Sequence, residues 1–144
     1  MSKGKILAID YGNTSIGMAV CDENRLMAFG RGVLKNKKHQ EILEKIAELA
    51  RNEGVKLLLV GLPLGKNGEE TLQTAKIREF AGQLIAEIKK RKIDLDMEFI
   101  DESFSTYEAN RLLEKIGVKP RDRKMTEDEM AAIVLVQRYI DFRP

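Results

Sequence analysis

The sequence predicts an α/β protein built on a mixed five-stranded sheet with helices on both faces. Three features of the 144-residue chain predict it. Three short apolar runs follow one another closely near the start, separated by turn residues. Segments of helical period then alternate with strand-like runs. One of those runs, VKLLLVGLPL at 55–64, is apolar almost throughout, as a strand covered on both sides must be.

The elements follow in order. KILAIDY reads as a continuous apolar strand, SIGMAVCDE as a second and LMAFGRGVL as a third. Gly12 to Ser15 and Glu23 to Arg25 supply the turns of an antiparallel meander. Gly17, Gly30 and Gly32 weaken these strands locally and mark bulges or close contacts. Ile42, Ile46 and Leu49 then recur at helical spacing from Lys38 to Asn52, and Gly54 closes that helix. After the 55–64 strand, GKNGEET is a loop. Ile77, Phe80, Leu84 and Ile88 line one face of a longer helix. DLDMEFIDE is the fifth strand, STYEANRLLEKIG a helix and TEDEMAAIVLVQRYI the last one, with a mobile-looking segment, KPRDRKM, between them. The order is βββαβαβαα. Right-handed crossovers make the fourth and fifth strands parallel to the first. Residues 1–144 read as a single domain, without repeat or linker.

Bulk properties exclude several classes. The 25 basic and 23 acidic side chains leave a formal charge of +2, too small to announce nucleic-acid binding. Aromatics are 6% with no Trp, so stacking of single strands is not advertised. KNKK (35–38) and KKRK (89–92) read first as solvated surface, and second as contacts for a polyanion. With one cysteine, Cys21, and one histidine, His39, there is no disulfide, no cysteine zinc site and little basis for a Ser–His pair. No run is long enough to span a membrane, and MSKGK lacks a signal peptide's apolar region, so a cytoplasmic location is expected.

Three carboxylates are predicted to meet. Asp10 ends the first strand, and Asp101 and Glu102 end the fifth. In a sheet with these strands parallel, both ends lie on the edge where open α/β sheets bind ligands. Asp128 lies in the first turn of the last helix, with Thr126 as a cap and Glu129 completing a capping box. It shares a face with Ala132, Leu135 and Tyr139, and small Ala131 and Ala132 allow close approach to the sheet. Each residue alone has a bland reading, as a turn former, a helix-end charge or a solvated strand end. Together they suit a hard divalent cation, Mg²⁺ or Mn²⁺, because clustered carboxylates need neutralising and no His or Cys accompanies them. Gly61, Gly65 and Gly68 give the loop after the fourth strand freedom for tight turns. Its backbone N–H groups and Lys66 are candidates for phosphate contact, although it is no Walker A loop. Ser105 is first a cap and second a substrate contact.

The landmarks ILAIDYG (6–12), IGMAV (16–20), LLVGLPL (58–64), DESFSTYEA (101–109) and DEMAAIVLVQRYI (128–140) together resemble the YqgF/RuvX family, over nearly the whole chain. The resemblance implies a ribonuclease-H-like fold and a nuclease that matures the 5′ end of the precursor of small-subunit ribosomal RNA. It also implies kinship with Holliday-junction resolvases, which makes branched DNA the rival substrate; RNA is favoured, with a ribosomal precursor particle as candidate partner, and the sequence, which offers no clear dimer helix, leaves a monomer or weak homodimer open. The implied catalytic and metal-holding residues are Asp10, Glu102 and Asp128, with Asp101 a further metal candidate. Substrate contacts are expected from Gly12, Gly65, Lys66, Ser105, Arg121, Arg123 and Lys124. Two places depart from the family pattern. Ser15 and Ser103 stand where basic residues are common, and this removes positive charge from the phosphate-facing edge. A non-catalytic ribosome-assembly factor would explain those serines more easily than it explains the carboxylates. A two-domain sugar-kinase or chaperone-type ATPase does not fit the length.

Overall fold

The computed structural model describes residues 3–12, 14–35, 37–102, 111, 114, 115, 117 and 127–142. Five strands, β1 (Lys5–Tyr11), β2 (Ser15–Cys21), β3 (Ala28–Lys35), β4 (Val55–Leu62) and β5 (Asp96–Asp101), form one sheet in the order β3-β2-β1-β4-β5. The first three pair antiparallel, and β4 and β5 run parallel to β1, as the crossover rule requires. The helix read over 105–117 lies largely outside the described residues. So do the 119–125 segment, Ser105, Arg121, Arg123, Lys124 and the Thr126 cap.

Helices α1 (His39–Asn52) and α2 (Leu72–Lys90) cover one face, and α3 (Glu127–Phe142) covers the other. Side chains alternate along a strand. Leu7 and Ile9 of β1 therefore pack with α1 and α2, while Ile6 and Ala8 pack against α3. The continuous apolar reading of KILAIDY follows from this central position. Each fully buried Leu or Ile contributes about 1.5–3 kcal/mol.

Local chemistry sets the helix ends. Gly54 takes φ +65° just after α1, a left-handed position that favours glycine, and its N–H reaches the Arg51 carbonyl. The buried stripe of α1 is Leu43, Ile46, Ala47 and Ala50. Ile42 and Leu49 flank it half-buried, so the predicted stripe is rotated slightly on the helix. At the start of α2, Thr71 and Thr74 cap each other reciprocally: the Thr74 N–H donates to Thr71 Oγ1 and the Thr71 N–H to Thr74 Oγ1, at 3.3 and 2.7 Å.

The seat of α3 depends on glycine. A methyl group at Gly17 would run into the Asp128 backbone, and one at Gly30 into the Glu129 carboxylate. Glu129 Oε2 accepts the Gly32 N–H at 2.6 Å, tying the first turn of α3 to β3. The β2–β3 register shifts between Gly17 and Ala19, so the bulge and the close contact expected of these glycines coincide.

Candidate active site

Asp10 is the penultimate residue of β1 and follows Ile6 and Ala8 onto the α3 face. It is 8% exposed and lies opposite Gly17 of β2. Glu102 follows the last residue of β5, and its N–H donates to the Leu62 carbonyl at 3.1 Å, which keeps it attached to the sheet. Between β1 and β5 runs β4, where Gly61 stands next to Ile100. A methyl group at Gly61 would lie 2.6 Å from Glu102 Oε2 and 2.9 Å from Leu135 Cδ1. Gly61 therefore serves close approach and sits inside a strand. The turn role expected of it belongs to Gly68, which takes φ +77°. The bare patch lets the Glu102 carboxylate cross β4 towards Asp10.

Asp128 arrives from α3. The Ser15 hydroxyl donates to Asp128 Oδ2, and a methyl at Gly12 would lie 2.9 Å from that same oxygen. The Gly12 N–H closes the hairpin on the Ser15 carbonyl at 2.9 Å, so both residues are fixed relative to β1 and β2. Sequence reasoning treated Ser15 only as a missing cation. Its hydrogen bond orients an acidic side chain far along the chain, and the only local signal was a small polar residue opening a strand.

The three carboxyl groups interact directly. Asp10 is pushed up from 3.8 to about 9, first by burial, then by hydrogen bonding and charge from Glu102, then by the charge and hydrogen bond of Asp128. Burial and the two acidic neighbours all favour the protonated form of Asp10. Among the described residues, no three His, Cys, Asp or Glu side chains are already spread into ion-holding positions. The donor set still fits a hard divalent cation: three oxygen acids, no sulfur or imidazole, and an electrostatic demand for positive charge.

The other expected site residues fall elsewhere. Asp101 is exposed and contributes nothing to the surroundings of Asp10. It lines a cleft with Phe99, Arg138 and Tyr139 at the β5 edge, so the structure does not bring it into the cluster. Lys66 is exposed in the loop after β4. That loop closes on itself: the Gly65 N–H donates to the Glu69 carbonyl at 2.9 Å and the Asn67 N–H to Glu69 Oε2 at 2.8 Å. Its N–H groups at Gly65 and Asn67, expected to face phosphate, are occupied within the loop, and the Glu69 carboxylate sits against Gly65.

The strand order and the acidic residues at the ends of β1 and β5 define a ribonuclease-H-like protein. Among solved structures, RuvC of Thermus thermophilus matches with a TM-score of 0.66 over 95% of each chain at 14% identity, a likeness of fold. The chain belongs to the RuvX family, whose sequence model, described as "Holliday junction resolvase", matches residues 4–142. A relative from Dictyoglomus turgidum is 34% identical over 95% of this chain and 94% of its own, and carries the name "Putative pre-16S rRNA nuclease". One of the same name from Maridesulfovibrio salexigens is 32% identical over 94% of this chain and 97% of its own. Membership makes this chain a nuclease.

Proposed function

We propose that the chain is a divalent-cation-dependent endonuclease, using Mg²⁺ or Mn²⁺ held by Asp10, Glu102 and Asp128, and that it trims the 5′ end of precursor small-subunit ribosomal RNA. The observation that carries the reading is the meeting of the Asp10, Glu102 and Asp128 carboxyl groups at one end of the sheet. A buried carboxyl beside two others binds a proton tightly because positive charge is missing there. A divalent cation meets the same need and would release that proton. When bound, it supplies Lewis-acid stabilisation of the charge that builds on a phosphodiester during hydrolysis.

The chain's own residues set the geometry. Ser15 holds Asp128 by its Oδ2 and so fixes the carboxylate beside Asp10. Gly61 and Gly12 give Glu102 and Asp128 room to converge. Burial of Asp10 against the sheet excludes bulk water from one side and strengthens every charge interaction there. The RNA substrate is supported by the names of the relatives above. The same reading has residues 1–144 acting as one domain in the cytoplasm, as a monomer or weak homodimer on a ribosomal precursor particle.

The test is cleavage of end-labelled RNA carrying the 5′ extension, with Mg²⁺ or Mn²⁺, by the starting protein and by Asp10→Asn. Cleavage by the first and a loss of about 10³-fold in the second is expected, the scale on which losing a group that stabilises transition-state charge is felt. A four-way DNA junction in the same assay tests the rival suggested by the description of the family. Cleavage of the junction alone would replace RNA by branched DNA. Equal cleavage by Asp10→Asn would refute the carboxylate site.

A further inference from the structure

The basic run at 35–38 has no part in the carboxylate cluster, yet the fold brings it to the cluster's rim. Lys35 ends β3 and pairs in register with Ser15, whose hydroxyl holds Asp128. Opposed residues of an antiparallel pair project from the same face, so the base of the Lys35 side chain leaves the sheet on the side that carries Asp128, at a strand end from which the long side chain also rims a cleft on the α1–α2 face. Lys35 is exposed and forms no ion pair among the described residues.

Beside it opens a cleft of about 180 Å³. Its rim carries Lys35, Lys37, Thr14 and Ser15, and its floor is Tyr11 against Phe80, with ring centroids 4.7 Å apart. Phe80 in turn meets His39 edge-on at 6.0 Å. Among the described residues, no acidic side chain lines the cleft. Lys37 is shared with Glu41 at 3.6 Å, which leaves Lys35 the barer charge. Pockets for whole small molecules run to about 300–1,000 Å³, so this space suits one group of a larger ligand. Charge placement is the informative feature: Lys35 and Lys37 stand at the rim, and the Ser15 hydroxyl that holds Asp128 joins this rim to the carboxyl cluster.

We propose that this cleft is a phosphate subsite for the nucleic-acid strand, with Lys35 as its main contact and Lys37 as its second. It rests on the nuclease reading above and adds where the strand is held. A phosphate next to the one being cut lies over Lys35, while the attached sugar or base covers the Tyr11–Phe80 floor. The positive charge absent at Ser15 is thereby supplied from the neighbouring strand.

The probe is a labelled single-stranded oligoribonucleotide, titrated in Mg²⁺ over a series of salt concentrations. The background is Asp10→Asn, so that binding is read without cleavage. Lys35→Ala should weaken binding about fivefold and reduce the salt slope by ~0.7, the release expected when one phosphate contact to a single strand is lost. Lys35→Arg should retain the slope. Lys56→Ala, a lysine near the start of β4 and so at the other end of the strands, should change neither quantity. In the cleaving protein, Lys35→Ala should raise KM and leave kcat nearly unchanged. An unchanged affinity and slope in Lys35→Ala would overturn the subsite and leave the nuclease reading standing. A parent protein that binds neither the oligoribonucleotide nor a four-way DNA junction would overturn both.

Discussion

The two faces of the sheet are held by different means. Towards α1 and α2 the strands present large side chains: Leu7, Ile9, Met18, Val20, Leu58 and Val60, met by Ile46, Phe80 and Leu84. Towards α3, β1 and β4 present Ile6, Leu57 and Leu59, while the rest of that face is small: Ala8, Ala19 and Ala28, with Gly17, Gly30 and Gly61 where the helix or a carboxylate comes closest. The first interface is a thick apolar layer in which many contacts share the stabilisation. The second is tightest at its glycines, where the helix backbone and carboxylates approach the strands, and its polar end is the carboxylate cluster. A side chain can be trimmed in the first at modest cost. In the second, the same small change displaces a backbone.

The sharpest way to break this contrast is to add atoms to the α3 face. Gly17→Ala should cost about 3 kcal/mol in denaturant unfolding, the upper range for overpacking, since the obstacle is the Asp128 backbone. Asp10→Asn should act in the opposite direction. Its folded-state value is raised from 3.8 to about 9, so its contribution to stability is full below about pH 4 and is lost as pH rises through about 9. In chelator, the Asn variant should be more stable than its parent by about 2 kcal/mol at neutral pH, with little of the parent's decline from pH 4 to 9. The estimate stays well below the full shift at about 1.4 kcal/mol per unit because neighbouring carboxylates relax. Parallel stability–pH curves would remove the cluster's electrostatic basis. On the thick face, Ile46→Val should cost about 1 kcal/mol and leave cleavage unchanged. A loss as large as that of Gly17→Ala would erase the distinction. The smallest effect on stability is expected from Ser15→Ala, about 1 kcal/mol for one hydrogen bond, with cleavage falling more than stability because Asp128 loses its orientation.

Sequence patterning was most informative where one physical rule dominated. The 55–64 run fits a buried central strand, which the structure places at Val55–Leu62, and the helical stripe of α2 appears at Ile77, Phe80, Leu84 and Ile88 as spaced. Convergence of Asp10, Glu102 and Asp128 was legible because strand direction places two of them on one edge. What escaped were relations across the chain. Gly61 looks like a turn glycine beside Pro63 and Gly65, and only the lateral neighbours of β4 reveal that it makes space for Glu102. The bond from Ser15 to Asp128 and the pairing of Ser15 with Lys35 depend on register, which a one-dimensional pattern does not carry. Asp101 was grouped with Glu102 because they are adjacent. The alternation of a strand sends neighbours to opposite sides, and that rule could have separated them.

The hydrogen bond from Ser15 spans 113 residues before it meets Asp128. Contacts of such separation form late, because the intervening chain must be gathered first. A ribosome emits the β1–β2 hairpin early and α3 last, so a nascent chain carries Asp10 long before it carries Asp128. Under the proposed carboxylate site, competence is tied to the docking of α3, and a half-made or unfolded copy has no complete site with which to cut.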